Sequence, residues 1–298
     1  MAWPDAAEQH RCYEPSRKDR GIGQDRLTAM GPMTGEPINE QEALARLRQS
    51  DDPSMQYYGA WWLGRNRSRH PESVPLLIAA LQQRRPRDPG AGIEENAVAR
   101  NAARALGKLA PAALAAVPEL LAALGDPDDG LREAAARALG DLGATEAVAP
   151  ICARLAGGPA EAGARQDGCP RLVEPCEALL EALGDIGVAE PDVLTVIEPF
   201  TRHDWPLIRS AAARALLQLS GEPRWAEPLL ALLGDSQLQV RRAALMDLGA
   251  AGWRPAVDAI STTLAENSLK LIALRGLIEN GSGEPGDDAL LAAMDALL

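Results

Sequence analysis

The sequence predicts an all-α fold, in which repeated pairs of helices stack into a right-handed α-α superhelix. Aromatic residues are scarce (Trp 6, Tyr 3, Phe 1 in 298 residues), and Ala and Leu fill the apolar positions instead. This composition favours closely packed helices over a β-sandwich, whose strands prefer β-branched and aromatic residues. An internal repeat of Ala- and Leu-rich segments, the signature of a solenoid, is the second observation behind this prediction.

One amphipathic motif recurs between residues 55 and 280. Its clearest copies read VARNAARALGKL at Val98–Leu109, LREAAARALGDL at Leu131–Leu142 and IRSAAARALLQL at Ile208–Leu219. Apolar residues recur three and four positions apart in these copies, which predicts helices with one apolar face. Four weaker copies are Met55–Asn66, Pro175–Ile186, Val240–Ala251 and Leu269–Asn280.

A second amphipathic segment follows each copy, as at Ser73–Leu81, Ala116–Leu124 and Trp225–Leu233. Two short helices cannot bury their apolar faces alone, so each pair must stack on its neighbours. We therefore expect a solenoid of about seven helix pairs over residues 38–298. Gln83–Asn96 and Gly157–Glu174 contain Gly, Pro and charged residues and are interpreted as loops inserted between regular turns.

The composition also excludes several classes of function. The formal charge of −12 disfavours nucleic-acid binding, which needs a basic surface. The sequence has no apolar run of 18 residues, so we expect no membrane span. The four Cys and three His are scattered, so we expect neither a metal site nor a disulfide framework, and a reducing cytoplasm fits best.

Three stretches carry a resemblance to a known family: YYGAWWLGR at Tyr57–Arg65, RNAARALGKL at Arg100–Leu109 and ENSLKLIALRGLIE at Glu266–Glu279. They resemble the E subunits of the E/F-type phycobilin lyases, whose short HEAT-like repeats also match the motif above. The resemblance covers about Gln41–Asn280. It implies a carbon–sulfur lyase, active as a heterodimer with an F-type partner. That enzyme would attach phycocyanobilin through a thioether to a cysteine of the apo-phycocyanin alpha subunit, with the bilin as substrate and no permanently bound cofactor.

The first copy of the motif is unusual because aromatic residues stand where other copies have polar or small ones. In this family the first helix of each pair lines the concave surface, so these positions should face a trough. They hold Tyr57, Tyr58 and Trp61, with Trp62 beside them. We expect this group to stack on the flat, conjugated bilin. The alternative is that it seats the neighbouring helix at Glu40–Arg48 or a partner subunit.

Cationic and amide side chains occupy the same face in several copies. Arg104, Arg137, Arg214 and Arg275 share one repeat position. Because a bilin carries two propionates, which Arg binds with paired hydrogen bonds, we expect bilin contacts from this face. The expected residues are Arg65, Arg100, Asn101, Arg104 and Arg137. Pairing of these Arg side chains with protein carboxylates is the alternative interpretation.

Carboxylates on the same face are the candidates for proton transfer. A carboxyl group there could hold the pyrrole N–H groups and protonate the bilin as a general acid, and we select Glu133 and Glu181. A solvated or Arg-paired surface is the alternative. The thiols of Cys169 and Cys176 flank an insertion, but lack the basic surroundings that activate a nucleophile. In the family-based interpretation, the nucleophile belongs to the acceptor protein.

Two rival functions stay open on the sequence alone. One is an E/F-type lyase or lyase-isomerase for another phycobiliprotein or bilin. The other is a non-enzymatic HEAT-repeat scaffold, in which the aromatic group would be a protein-docking hot spot.

Residues 1–37 are polar and lack any apolar period, so we expect a disordered N-terminal arm. Deleting them should leave folding intact and bilin transfer measurable. Circular dichroism, a thermal melt and a transfer assay on the truncated protein check this. Aggregation or complete loss of activity would show that the arm is an integral cap of the repeat array.

Overall fold

The computed structural model describes residues 38–84, 96–166 and 171–298, and the predicted disordered arm at residues 1–37 lies outside these ranges. The described chain is all-α, as the repeat pattern predicts, with one isolated β-bridge between Arg165 and Leu172. The seven copies of the motif form one row of helices, called the first row: α2 (Pro53–Arg65), α4 (Ala97–Lys108), α6 (Asp129–Asp141), α9 (Cys176–Ile186), α11 (Pro206–Ser220), α13 (Leu238–Ala251) and α15 (Asn267–Asn280).

The segments that follow the motif form a second row: α3 (Ser73–Gln82), α5 (Val117–Leu124), α7 (Val148–Leu155), α10 (Pro191–Ile197), α12 (Ala226–Leu232), α14 (Val257–Thr262) and α16 (Asp287–Asp295). Helix α1 (Glu40–Leu47) precedes the first pair, and the short helix α8 (Gly158–Glu161) lies within the second insertion. In the described ranges, no helix is long and apolar enough to span a bilayer.

Local sequence signals set the ends of these helices. The side chain of Asp52 accepts hydrogen bonds from the backbone N–H groups of Ser54 and Met55, and Pro53 occupies the first turn, where its missing N–H costs nothing. Asp128 caps α6 in the same way by accepting from the Leu131 N–H. Gly221 ends α11 in the left-handed conformation that glycine adopts without strain.

Glycine-to-alanine contacts hold the first row together. A Cβ atom placed on Gly64 would lie 2.8 Å from the Cα atom of Ala105 on the next helix. The glycines of the next copies make the same approach, with distances of 2.9 Å at Gly107 and 3.0 Å at Gly140 to the following Ala. Successive first-row helices therefore pack directly, whereas second-row helices meet sparsely. Because the first row packs more closely than the second, we infer that the array curves toward the first row, whose face we call the concave surface.

The contact between α11 and α13 departs from this rule because Leu217 replaces the glycine. The apolar core divides here: Leu216 belongs to the core of the N-terminal pairs and Leu217 to that of the C-terminal pairs. Polar groups bridge this contact instead. Ser210 donates to the Asp247 carboxylate over 2.5 Å, and Gln218 Nε2 donates to the Ala250 carbonyl over 3.2 Å.

Gly64→Ala tests the glycine contact. In an open helix this change would stabilise by about 1 kcal/mol, but here the added methyl group meets the α4 backbone and should destabilise by about 1–3 kcal/mol. Urea unfolding measures the difference. Gly234→Ala is the control, because its added Cβ atom would be 3.5 Å from the nearest atom and should leave stability unchanged or slightly raised. Equal effects of the two changes would contradict the packing account.

Candidate functional site

The repeat register aligns equivalent residues into a row along the concave surface. From the N-terminal to the C-terminal end, this row reads Trp61, Arg104, Arg137, Glu181, Arg214, Met246 and Arg275. Its chemistry therefore changes from aromatic through cationic to a mixture of carboxylates and Arg. Two parts of this surface form the candidate site.

The aromatic end consists of Tyr57, Tyr58 and Trp61 on α2. Their exposed fractions are 38%, 55% and 42%, so these side chains are open to solvent, and their stacking on a bilin stays a prediction. The rings of Tyr57 and Tyr58 meet edge to face, with centroids 5.9 Å apart. The guanidinium of Arg65 lies 5.3 Å from the Trp61 ring centroid, a cation–π contact.

The side chains that neighbour the aromatic end differ in their solvent exposure and in their ion pairing. Trp62 is half-buried and packs against the core. Arg104 and Lys108 on α4 are exposed, and neither forms an ion pair with another residue of the described ranges. Lys108 is absent from the sequence-based selection, although its position one turn after Arg104 on the same face points to it. Arg65, Arg104 and Lys108 can therefore receive an anionic ligand without breaking an ion pair with a described residue.

Two residues expected beside the aromatic end have structural roles. Asn101 is only 7% exposed, and its Nδ2 donates to the Tyr57 carbonyl over 2.9 Å. The expectation that Asn101 points into the trough is therefore wrong, because its position on α4 turns back toward α2. Arg100 is half-buried, and its Nη1 lies 3.6 Å from Asp128, the residue that caps α6.

The second part of the site is the acidic belt, which lies on α6, α9 and α13. Its members are Glu133, Glu177, Glu181, Asp185 and Asp247. Arg137 lies among them: its Nε is 3.4 Å from Glu133, its Nη2 is 3.7 Å from Glu177, and its Nη1 pairs with Glu181. The alternative interpretation of Arg137, pairing with protein carboxylates, describes this geometry. Ligand binding by Arg137 stays a prediction that requires one of these carboxylates to give way.

Arg214 on α11 forms the second cationic centre of the acidic belt. Its Nη2 lies 2.5 Å from Asp185, and its Nη1 lies 3.6 Å from both Glu181 and Asp247. Sequence reasoning placed Arg214 in the row of cations but gave no sign that it is largely enclosed. That enclosure depends on the close approach of α9, α11 and α13.

The protonation state of Glu181 follows from its surroundings. Burial raises the pKa of Glu181 to about 7, Arg137 and Arg214 oppose this rise, and Asp247 and Glu177 add to it. A carboxyl group with a pKa near neutrality suits proton donation and acceptance at physiological pH. Glu133, the other selected carboxylate, is half-exposed and pairs with Arg137.

The described thiols are poorly suited to nucleophilic chemistry. Cys176 begins α9 inside the core, where burial, followed by the Glu174 charge, raises its pKa to about 12. Burial also raises the pKa of Cys152, which is half-buried on α7. Cys12 and Cys169 lie outside the described residues. Over residues 38–84, 96–166 and 171–298, no group of three or more His, Cys, Asp or Glu is arranged to hold a metal ion.

The fold and the repeated motif define the class of protein as a HEAT-repeat solenoid. Residues 92–166 and 176–268 match the HEAT repeat family, and residues 55–83 match the PBS lyase HEAT-like repeat. The chain is 51% identical over 262 residues to the bilin biosynthesis protein RpcE of Synechococcus sp. strain WH8020, covering 88% of this chain and 96% of that protein.

A second relative is the phycocyanobilin lyase subunit alpha of Picosynechococcus sp. strain PCC 7002, 45% identical over 264 residues, with 87% of this chain and 96% of the relative covered. Among solved structures, the complex of CpcE and CpcF of phycocyanin lyase from Nostoc sp. PCC7120 contains a similar chain. The two chains are 42% identical with a TM-score of 0.80, covering 91% of this chain and 98% of that chain. This chain belongs to the phycocyanobilin lyase alpha-subunit family, and the family resemblance noted in its sequence is confirmed.

Stability should depend on pH through Glu181. Its pKa in the folded state is about 7, above the unfolded value near 4.5, so the folded state holds the proton more tightly. The contribution of Glu181 to the free energy of unfolding should therefore fall by up to about 3 kcal/mol as pH rises from about 4.5 to about 7. Above that range the contribution should stay level. Glu181→Gln should remove this part of the fall.

Urea unfolding at about pH 5 and about pH 8 measures the effect. Glu227→Gln, at an exposed position on α12 in the second row, is the matched control and should keep the pH dependence of the parent. An identical fall in the parent and Glu181→Gln proteins would show that Glu181 ionises equally easily in the folded and unfolded states.

Proposed function

We propose that this chain is the alpha subunit of a heterodimeric bilin lyase. With an F-type partner, it attaches phycocyanobilin through a thioether to a cysteine of the phycocyanin alpha subunit. The names of its relatives support the reaction class, since they include phycocyanobilin lyase subunits that match nearly full length. The similar chain in the CpcE–CpcF complex supports an F-type partner.

The observation that carries the proposal is the exposed aromatic end beside cations that lack an ion-pair partner in the described ranges. Exposed aromatic faces bind a flat, conjugated tetrapyrrole, and each well-placed ring pair adds about 0.5–1.5 kcal/mol beyond area burial. The bilin propionates then pair with Arg65, Arg104 and Lys108. Tyr57, Tyr58, Trp61 and, at its edge, Trp62 form the stacking surface.

The reach of the bilin connects the aromatic end with the acidic belt. Trp61 on α2 and Glu133 on α6 are two helix steps apart, which corresponds to about 16–20 Å at usual helix spacings. An extended open-chain tetrapyrrole has a comparable length. The ring system therefore bridges the two parts of the site, with its far end at the carboxylates around Arg137.

The proposed chemistry is addition of the acceptor thiol to the ethylidene group of the bilin. Protonated Glu181 gives its proton to the bilin, which makes the conjugated system more electrophilic, and the acceptor sulfur bonds to the ethylidene carbon. The thiol proton returns to the Glu181 carboxylate, so the addition is balanced. Glu133 holds pyrrole N–H groups. Fixing thiol and bilin in one geometry raises their effective concentration and selects the attacked face.

The nucleophile is the acceptor's cysteine rather than either thiol in the described part of this chain. The raised pKa values of Cys152 and Cys176 keep both protonated at neutral pH, and a protonated thiol is a poor nucleophile. A second candidate is lyase or lyase-isomerase activity on another bilin or phycobiliprotein. The 51% identical relative named a bilin biosynthesis protein favours keeping this candidate.

Co-expression with the F-type partner, bilin and each possible acceptor subunit tests the function. Zinc-enhanced fluorescence on a denaturing gel then reports where bilin is covalently bound. We expect fluorescence on the phycocyanin alpha subunit only when both lyase subunits are present. Fluorescence on another acceptor would favour the second candidate, and no fluorescence on any acceptor would favour a non-enzymatic scaffold.

The variants Tyr58→Ala and Trp61→Ala test the stacking surface. Both side chains are exposed, so stability should change little, whereas a core aromatic would cost about 3–5 kcal/mol. Bilin binding should weaken by about 1–3 kcal/mol, by analogy with base stacking on aromatic residues, and most transfer should be lost. Thermal melts, partner co-purification and bilin absorbance are measured on the same proteins.

Trp225→Ala is the control, because Trp225 packs beside the second row and contacts Arg224 rather than the concave surface. It should lower stability and leave bilin absorbance unchanged in the folded protein. If Tyr58→Ala and Trp61→Ala unfold while their folded fraction still binds bilin, the aromatic end is structural. Loss of partner co-purification would identify it as a subunit interface.

A further inference from the structure

Arg214 has contacts with three carboxylates on two neighbouring helices. Asp185 and Glu181 lie on α9 and Asp247 on α13, and each is within 3.6 Å of a guanidinium nitrogen. Asp247 is held in turn by the Ser210 hydroxyl at 2.5 Å. The side chain of Arg214 is 12% exposed, compared with 39% for Arg137. Arg214 is therefore the enclosed centre of the acidic belt, and Arg137 is its exposed counterpart.

The two oxygens of Glu181 have different environments. Oε2 pairs closely with Arg137 Nη1, whereas Oε1 lies 3.6 Å from Arg214 Nη1, too far for a hydrogen bond. Oε1 thus feels the positive charge of Arg214 without being occupied by a donated hydrogen bond from it. This oxygen is the one left to carry a proton.

We propose that Arg214 is a positioning residue, which holds a fixed positive charge beside Oε1 of Glu181 without touching the bilin. The inference rests on the proposed function, since Glu181 is the proton donor there. Two carboxylates, Asp185 and Asp247, hold the guanidinium in place, and the Gln218 amide donates to the same Asp185 Oδ1 that pairs with Arg214. Its Nε is buried and has no hydrogen-bond partner in the described part of the chain, so these contacts at the Nη atoms define its position.

The position of Arg214 in the fold strengthens this assignment. It lies at the α11–α13 contact, where Leu217 replaces the packing glycine and polar groups bridge the helices. A neutral side chain at residue 214 would leave several carboxylates facing each other. The proton affinity of Glu181 would then rise, because its nearby positive charge is lost.

Attachment rates, measured across pH and over a range of bilin concentrations up to saturation with the complete heterodimer, test the inference. Protonated Glu181 is the active form, so attachment slows as pH rises through its titration. In Arg214→Gln this slow-down should move to higher pH by about one unit, with KM for bilin unchanged. Arg214→Lys keeps the charge and should restore most of the parent profile. If Arg214→Gln does not fold, Arg214→Met is the second neutral variant and should show the same move to higher pH.

Two further variants give matched controls. Glu177→Gln removes a negative charge near Glu181, so its profile should move to lower pH, opposite to Arg214→Gln. Arg132→Lys alters another buried Arg of the first row, which binds Glu174 over 3.1 Å and lies outside the acidic belt. It should lower stability without moving the profile.

An unchanged profile in folded Arg214→Gln would overturn the inference and make Arg214 purely structural. A raised KM with an unmoved profile would also overturn it, since Arg214 would then contact the bilin. Failure of the proposed function has a different signature. Glu181→Gln would attach bilin as fast as the parent, with the same pH profile, or the parent heterodimer would attach none.

Discussion

The close approach of glycine to alanine between successive first-row helices is the constraint on which the structure depends. At Gly64 and at the two following repeat glycines, a side chain of any size would meet the backbone of the next helix. This approach recurs at every step between described first-row helices except α11–α13, so it sets the same register at those steps. Equivalent residues therefore fall into straight rows, and the first row becomes the inner side of the curve. The candidate site is a consequence of that alignment.

Polar and charged groups replace the glycine contact between α11 and α13, where the apolar core divides. At α11 and α13, Ser210, Arg214 and Gln218 bridge helices that are no longer joined through a glycine. Burying charges is costly unless they are paired, and Arg214 has a carboxylate on each side. Arg214, which bridges the helices here, therefore also lies beside Glu181, the carboxyl group with a pKa near neutrality on the concave surface.

The sequence predicts the fold well because its information is local. Three- and four-residue spacing defines the helices, and the repeat length defines their stacking. The exposure of Tyr58 and Trp61 is predictable for the same reason, since their positions are polar in other copies. The contacts between helices are less accessible to this reasoning. Asn101 has a polar side chain on a mainly polar face, yet it turns back to bind the Tyr57 carbonyl.

The pairing of Arg137 and the enclosure of Arg214 lie beyond local sequence patterns for a related reason. Each depends on how far one helix is shifted along its axis relative to the next helix. Arg137 and Glu181, for example, are 44 positions apart in sequence and meet only when α6 and α9 pack together. Repeat alignment identifies residues that share a row. It does not identify which neighbours in that row bind each other and which stay free for a ligand.

The central claim of this account is that the bilin lies on the concave surface between the aromatic end and the acidic belt. A crystal structure of the heterodimer soaked with phycocyanobilin tests that claim most directly. The account predicts tetrapyrrole density stacked on Tyr58 and Trp61, with propionates at Arg65, Arg104 or Lys108 and pyrrole nitrogens toward Glu133 and Glu181. Tetrapyrrole density against the second row of helices, with the aromatic end covered by the partner subunit, would contradict it.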